Sequence, residues 1–128
     1  MAAHGIPYFA TASIAYPDDL VSKLEKASGI AGFRMIHYFC PCPTGWKAES
    51  RDMVKLARLA VQTRIFPLYE VHNGKQWDLT LDPDTADVEE YLKIQGRFKH
   101  LHAAQVDLIK QNINREWNWL LRMANTEF

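Results

Sequence analysis

Two short apolar segments on either side of a helix signal constrain the fold of this chain more than any other feature. Residues 7–12 read as a buried strand, and residues 33–39 form the nearly continuous apolar run typical of a parallel strand covered on both faces. Between them, Pro17 presets φ for a first helical turn, and Asp18 and Asp19 suit the positive end of a helix dipole. Two strands joined in this way form a β-α-β unit, so the sequence predicts an α/β fold.

Apolar spacing predicts a helix on either side of the second strand. The first should begin at Pro17 and end at Gly29, which we expect to adopt a left-handed capping conformation. Its apolar residues recur at helical spacing: Leu20, Val21, Leu24 and Ala27. The second should follow an N-cap at Ser50 and end near Arg64. Its predicted stripe comprises Met53, Leu56, Ala57, Ala60 and Val61.

A β-hairpin is predicted in the second half of the chain. Asn73 and Gly74 form the dipeptide most favoured in two-residue type I′ turns, and they join residues 66–72 to residues 75–81. We expect the register of such a turn to bring together, on the same side as Trp77, the pairs Leu68 with Leu79 and Phe66 with Leu81.

Two helices should close the chain after a strand break at residues 82–84. The first is short, ends before Gly96 and is marked by Val88, Tyr91 and Leu92. The second is longer, and its stripe comprises Val106, Ile109, Ile113, Trp117 and Leu120. Trp117 and Trp119 face different sides of this helix, so one of them should belong to the core and the other suits an interface. The expected architecture is a partial doubly wound parallel sheet (β-α-β-α) followed by a β-hairpin and carboxy-terminal helices.

Such a sheet would be small for a doubly wound fold. Two parallel strands and their crossover helices are too few to cover both of their own apolar faces, and further parallel strands would normally come before residue 7. We therefore expect this chain to be the tail of a larger domain or to dock permanently on another chain.

Composition excludes several classes of protein. The 128 residues are 48% apolar and carry 15 Lys and Arg against 15 Asp and Glu. This apolar fraction argues against global disorder, and the zero formal charge argues against a general nucleic-acid or anionic-membrane binder. We find no signal-peptide pattern and no apolar run of transmembrane length, so a cytoplasmic protein without membrane partners is expected.

The segment with the most chemical information follows the second predicted strand and contains both cysteines, Cys40 and Cys42. Open α/β sheets place ligands at the carboxyl ends of their strands. Two thiols at C-x-C spacing are a weak metal signal, because zinc and cluster sites need about four ligands. The residues by themselves leave open two readings: a ligand site and two buried small residues at a proline-stiffened turn.

Other polar residues give weaker signals. His100 and His102 could approach one another, but without a nearby carboxylate or third ligand a hydrogen-bonded or solvated pair is the better reading. His37 is expected to be a hydrogen-bonded core residue. Residues 11–13 could contact a cofactor or cap the following helix. The chain contains no G-x-G-x-x-G motif, phosphate loop or G-x-S-x-G motif, and no catalytic residue is assigned.

Four sequence strings together resemble the carboxy-terminal part of the β subunit of pyruvate:ferredoxin oxidoreductase, also called pyruvate synthase. The likeness runs from about His4 to Leu101 and is weaker through the last helix. The strings are HGIPYFATASIAYP at 4–17, CPTGW at 42–46, FPLYE at 66–70 and EEYLKIQGRF at 89–98. The CPTGW element favours the enzymes of pyruvate and branched 2-oxoacids over those of 2-oxoglutarate.

The resemblance implies a thiamine diphosphate-dependent enzyme. In this family the cofactor attacks a 2-oxoacid, carbon dioxide leaves, coenzyme A takes the acyl group, and iron–sulfur clusters pass the electrons to ferredoxin. Residues 1–64 would then be the carboxy-terminal portion of the thiamine diphosphate-binding α/β domain, and residues 65–128 the β-subunit extension. The implied partners are α-, γ- and δ-type subunits and ferredoxin.

The resemblance also implies one metal ligand. The family places the fourth cysteine of a 4Fe-4S cluster in its P-C-P-T-G-W element, and the matching residue is Cys42. The other three cysteines, and the elements that hold the diphosphate and its magnesium, would precede Met1. At the position of Cys40 the family usually has a small residue other than cysteine, so no ligand role is carried to Cys40.

Competing functions remain at this stage. One is a non-catalytic structural or subunit-interaction module that retains the terminal fold, and another is a small zinc or redox protein using Cys40 and Cys42. If the chain is a segment of the oxidoreductase β subunit, we expect it to bind none of these cofactors and to be inactive when isolated. Pyruvate and branched 2-oxoacids both remain open as substrates.

Overall fold

A four-stranded sheet forms the centre of the computed structural model, which describes residues 1–125. Its strands lie in the order β2-β1-β3-β4. They comprise β1 (Tyr8–Ser13), β2 (Arg34–Phe39), β3 (Tyr69–His72) and β4 (Gln76–Leu79). β1 pairs in parallel with β2 and antiparallel with β3, which continues into β4 as a hairpin. The α/β class is therefore confirmed, and the sheet is mixed because the hairpin pairs directly with β1.

Helices connect and cover the strands. They are α1 (Pro17–Gly29), the single turn α2 (Pro43–Trp46), α3 (Met53–Gln62), α4 (Val88–Lys93) and α5 (Ala103–Ala124). Short 3₁₀ turns lie at Ala2–His4, Ser50–Asp52 and Gly96–Phe98. No helix within residues 1–125 is long and apolar enough to cross a membrane.

β1 is one of the two inner strands of the sheet and the more buried of them. All six of its residues are buried, and both of its edges are occupied, Tyr8 pairing with Arg34 on one side and with His72 on the other. Any further strand can join this sheet only at the outer edge of β2 or of β4.

β2 is not covered on both faces within the described residues, so that expectation is wrong for this part of the molecule. Phe33, just before the strand, is 59% exposed and Tyr38 is 45% exposed. The reason is topological: β2 is an edge strand here, with β1 as its only neighbour in the described sheet.

α1 begins at Pro17 as predicted, and its most buried residue is a lysine. Val21 and Leu24 are about half exposed, whereas Lys23 is completely buried. Leu20 and Ala27 are partly buried, so only half of the apolar stripe is shielded from solvent, and α1 also contacts the sheet through polar groups. Gly29 is the last helical residue and does not have a positive φ. The left-handed conformation is found instead at Gly32, where an added Cβ would lie 2.9 Å from the Pro7 ring.

α3 buries the predicted stripe, with Leu56, Ala57, Ala60 and Val61 inaccessible to solvent and Met53 half-buried. Its start differs from the prediction, because Ser50 opens a 3₁₀ turn and Asp52 is the N-cap residue of the helix. α4 and α5 also match expectation: Trp117 and Leu120 are buried, and Val106, Ile109 and Ile113 pack on the core built around α3 and α4.

The hairpin has the expected turn and a shifted register. Asn73 and Gly74 both have positive φ, and the Lys75 N–H donates to the His72 carbonyl at 3.0 Å. The ladder, however, pairs His72 with Gln76, because Lys75 is an additional residue in the loop. The predicted register is therefore wrong by one residue. The observed pairs are Tyr69 with Leu79, Glu70 with Asp78 and Val71 with Trp77.

We predict that Gly74→Val destabilises this chain by about 1–3 kcal/mol. Gly74 has a φ of +69°, and a Cβ there would lie 2.7 Å from the Ala2 carbonyl oxygen and 2.7 Å from the Gly5 Cα. Both contacts are with backbone, so no side-chain rotation relieves them. Urea unfolding followed by circular dichroism measures the change.

Gly29→Ala is the matched control. Gly29 is helical, and an added Cβ would meet nothing within 4 Å. The free energy of unfolding of the Gly29→Ala variant should equal that of the unmodified chain or exceed it by up to about 1 kcal/mol. Equal unfolding midpoints for the Gly74→Val variant and the unmodified chain would contradict the turn assignment.

Candidate functional site

Cys42 lies in a short loop at the carboxyl end of β2. It occupies the N-cap position of α2, and its Sγ accepts a hydrogen bond from the Gly45 N–H at 3.5 Å. Pro43 fixes the first helical φ, so the turn that presents this N–H is preset by the local sequence. The thiol itself is exposed to solvent. Cys42 is thus a surface sulfur atom on a constrained turn.

Contacts from the second half of the chain hold this loop in place. The Trp46 ring lies 5.5 Å from the Phe39 ring, and the Arg97 guanidinium stacks over Trp46 at 4.0 Å. The Gly96 N–H donates to the Lys47 carbonyl at 3.0 Å. A Cβ at Gly96 would lie 2.8 Å from the Lys47 Cβ, so this close approach requires glycine.

The chemistry available to Cys42 is that of one soft ligand. Thiolates bind iron–sulfur clusters and zinc, and N–H donors to the sulfur are the usual supporting interaction. Within residues 1–125 no three His, Cys, Asp or Glu residues come together to hold a metal ion, so Cys42 can supply one ligand of a set. Cys40 is also exposed, and the reading of two buried small residues is therefore wrong.

The remaining predicted candidates have structural surroundings that explain them. His37 is exposed and meets the Phe66 ring edge-on at 5.2 Å, so the expectation of a core histidine is wrong. His102 is the N-cap residue of α5, where its backbone N–H donates to Gln105 in a capping box. The Thr11 hydroxyl donates to the Pro67 carbonyl at 2.7 Å, and the Ser13 hydroxyl accepts from the Ala15 N–H.

A buried group of charged residues was not anticipated from the sequence. The Lys23 ammonium donates to the Thr11 carbonyl at 2.8 Å, to Asp19 at 2.6 Å and to the Thr80 hydroxyl at 2.8 Å. Burial lowers the pKa of Lys23, and the Asp19 carboxylate offsets part of that shift. The i,i+4 spacing of Asp19 and Lys23 was the only local signal for this group.

A second charged group lies next to it on the hairpin. The buried Glu70 carboxylate accepts two bonds from Lys26, at 2.9 and 3.0 Å, and lies 3.5 Å from His72. The buried Tyr8 hydroxyl lies near the Glu70 carboxylate but does not reach the geometry of a full hydrogen bond. Burial, followed by the negative charge of Glu70, raises the pKa of Tyr8. The ion pair between Lys26 and Glu70 attaches α1 to β3.

Sequence comparison adds information that geometry does not carry. No protein-family model matches the chain. The ketoisovalerate oxidoreductase subunit VorB of Pyrococcus furiosus is 46% identical over 124 residues, which are 95% of this chain and 40% of the relative. The pyruvate synthase subunit PorB of Methanocaldococcus jannaschii is 44% identical over 117 residues, 91% of this chain and 39% of the relative. PorB of Pyrococcus furiosus is 38% identical, over 93% of this chain and 42% of the relative.

Nearly all of this chain is therefore homologous to a part of these oxidoreductase subunits. The chain spans about two fifths of the length of the curated relatives it matches.

We predict that Tyr8→Phe leaves stability almost unchanged at pH 7 and protects the fold at high pH. The change removes a buried hydroxyl that makes no hydrogen bond of full geometry, and Glu70 keeps both of its bonds from Lys26, so the cost is small. Above pH about 10, this tyrosine ionises in the unfolded chain but stays protonated in the folded chain. The unmodified protein should therefore lose up to about 1.4 kcal/mol of stability per pH unit more than the Tyr8→Phe variant does. Urea unfolding at pH 7 to 11 measures the difference.

Tyr38→Phe is the control, because Tyr38 is 45% exposed. Its stability should follow that of the unmodified chain across this range. The assignment is wrong if the Tyr8→Phe and Tyr38→Phe variants lose stability in parallel above pH 10.

Proposed function

We propose that this chain is part of the β subunit of a 2-oxoacid:ferredoxin oxidoreductase and that Cys42 is a ligand of its 4Fe-4S cluster. The observation that carries the proposal is 46% identity over 95% of the chain to a ketoisovalerate oxidoreductase subunit. The CPTGW segment, positioned at a strand end with its thiol exposed, supports the assignment of Cys42.

The proposed reaction is the oxidative decarboxylation of a 2-oxoacid to an acyl-coenzyme A, or its reverse, with the electrons passed to ferredoxin. When bound, thiamine diphosphate with magnesium would supply the carbanion chemistry, and the cluster would supply electron transfer. The described residues do not provide a diphosphate-binding motif, and we assign none of them a catalytic role. This chain's contribution is a positioned thiolate and a folded surface for the rest of the assembly.

The loop geometry fits a cluster ligand in two respects. The Gly45 N–H directed at the Cys42 sulfur would stabilise a thiolate, and hydrogen bonds to sulfur help to set cluster potentials. The Trp46 contacts with Phe39 and Arg97 limit motion of the loop, so the sulfur would be held before the metal binds. A single thiolate needs other ligands, which in this proposal come from the remainder of the subunit.

Partner binding has structural support as well. The outer edge of β2 is unpaired in the described sheet, and Phe33, Tyr38, Val21 and Leu24 all expose large apolar area. Surfaces of this kind mark interfaces between protein segments. We propose that they meet the remainder of the β subunit and the α-, γ- and δ-type subunits, with ferredoxin as the electron-transfer partner.

For the substrate we propose pyruvate, with a branched 2-oxoacid such as ketoisovalerate as the alternative. Relatives named for each occur at similar identity, 44% and 46%, so identity does not separate them. Purified complex containing this chain should reduce ferredoxin in the presence of coenzyme A and pyruvate, and kcat/KM for pyruvate and ketoisovalerate decides between the two. Catalysis that persists when this chain is removed from the complex would favour a non-catalytic interaction module.

We predict that Cys42→Ser in the assembled complex lowers cluster content and electron transfer to ferredoxin. A serine oxygen is a harder ligand and binds iron less well than a thiolate. Iron quantification, with a loss of up to about four iron atoms per subunit, and electron paramagnetic resonance of the reduced cluster measure the effect.

Cys40→Ala is the matched control, two residues away and similarly exposed. It should leave iron content and the resonance signal nearly intact. Equal losses in both variants, or a loss only with Cys40→Ala, would remove the basis for assigning Cys42.

A further inference from the structure

An open cleft on the side of the molecule away from α1 has the size and lining of a small-molecule site. It lies between β3, the segment after α3, α4 and α5 and encloses about 490 Å³. Ligand pockets typically enclose about 300–1,000 Å³ and are mostly apolar with a few polar groups. The ring-bearing walls are Tyr69, Tyr91, Phe98, Trp117 and Trp119.

Arg64 is the unusual residue in this lining. Its backbone has a φ of +62° at the end of α3, a position where glycine is normally preferred. Its guanidinium lies over the Trp117 ring at 4.5 Å, and its Nε is buried without a hydrogen-bond partner among the described residues. The nearest carboxylate oxygen, on Asp82, is 3.9 Å away, beyond hydrogen-bond distance.

The charge balance of the cleft favours an anion. Arg64 and Arg97 both line it, against the single carboxylate of Glu116. Arg97 stacks on Phe98 at 4.6 Å and donates through Nε to Gln95. An arginine whose guanidinium lies over an aromatic ring still has outer N–H groups that can bind a phosphate or carboxylate in a bidentate way.

We propose that this cleft binds a small molecule that joins a flat aromatic ring to a phosphate or carboxylate group. The ring would contact the aromatic walls, and the anion would pair with Arg64 and satisfy its unpartnered Nε–H. Cys42 does not line this cleft, so the inference is independent of the cluster assignment.

Calorimetric titration of the complete chain, in its complex where one forms, tests the proposal with four probes. Adenosine 5′-monophosphate and indole-3-acetate both carry a ring and an anion, and they distinguish phosphate from carboxylate. Adenosine and inorganic phosphate supply the two halves separately. At least one ring-bearing anion should bind about tenfold or more tightly than either half, with affinity falling as salt rises.

Two variants and a control locate the binding. Arg64→Gln removes the charge and should weaken binding about tenfold or more. Asn112→Trp fills the cleft from α5 while keeping both arginines, and should also abolish binding. Arg51→Gln is the control, an exposed arginine that does not line the cleft. Each variant is first checked by circular dichroism for a native spectrum.

The proposal is overturned if neither ring-bearing anion binds more tightly than its halves, or if Arg51→Gln weakens binding as much as Arg64→Gln. It is also overturned if Asn112→Trp, folded as the unmodified chain is, binds the probe with unchanged affinity.

Discussion

The arrangement of α1, β1 and β4 depends on one buried ammonium group. Lys23 is completely inaccessible to solvent and donates to acceptors on all sides: the β1 backbone, Asp19 on its own helix and Thr80 just after β4. Removing a charge from water costs several kcal/mol, and only a full set of acceptors offsets that cost. The ammonium therefore allows α1 to occupy one position on the sheet, and that position directs Val21 and Leu24 outwards.

The two faces of the hairpin are held by different kinds of interaction. Trp77 and Thr80 lie three positions apart, so a regular alternation sends their side chains to opposite faces of the sheet. On one face Trp77 stacks on Tyr69 and meets the edge of Trp119 from α5. On the other face the contacts to α1 are hydrogen bonds and ion pairs through Lys23 and Lys26. One face is thus held by apolar burial and the other by charge pairing.

The loop that carries Cys42 is connected to the cleft on the far side of the core through one residue. Arg97 stacks on Trp46 in the loop and also lines the cleft. Trp46 in turn contacts Phe39 at the end of β2. The position of the thiol is therefore set by side chains from three separate parts of the chain, although the turn itself is local.

The features that depend on near neighbours could be predicted from the sequence: β1, the start of α1 at Pro17, the apolar stripes of α3 and α5, the positive-φ turn at Asn73 and Gly74, and a strand end followed by Cys42. Proline φ, helical periodicity and turn preferences act within a few residues, so they can be read directly. The structure alone decided the burial of Lys23, the exposure of β2 and His37, the extra loop residue Lys75 and the position of β1 between β2 and β3. Each of these depends on partners far along the chain, such as Thr80, 57 residues from Lys23, and Glu70, 44 residues from Lys26. Local patterns do not encode which distant strand will be adjacent, and it is that adjacency that decides which face of α1 is buried.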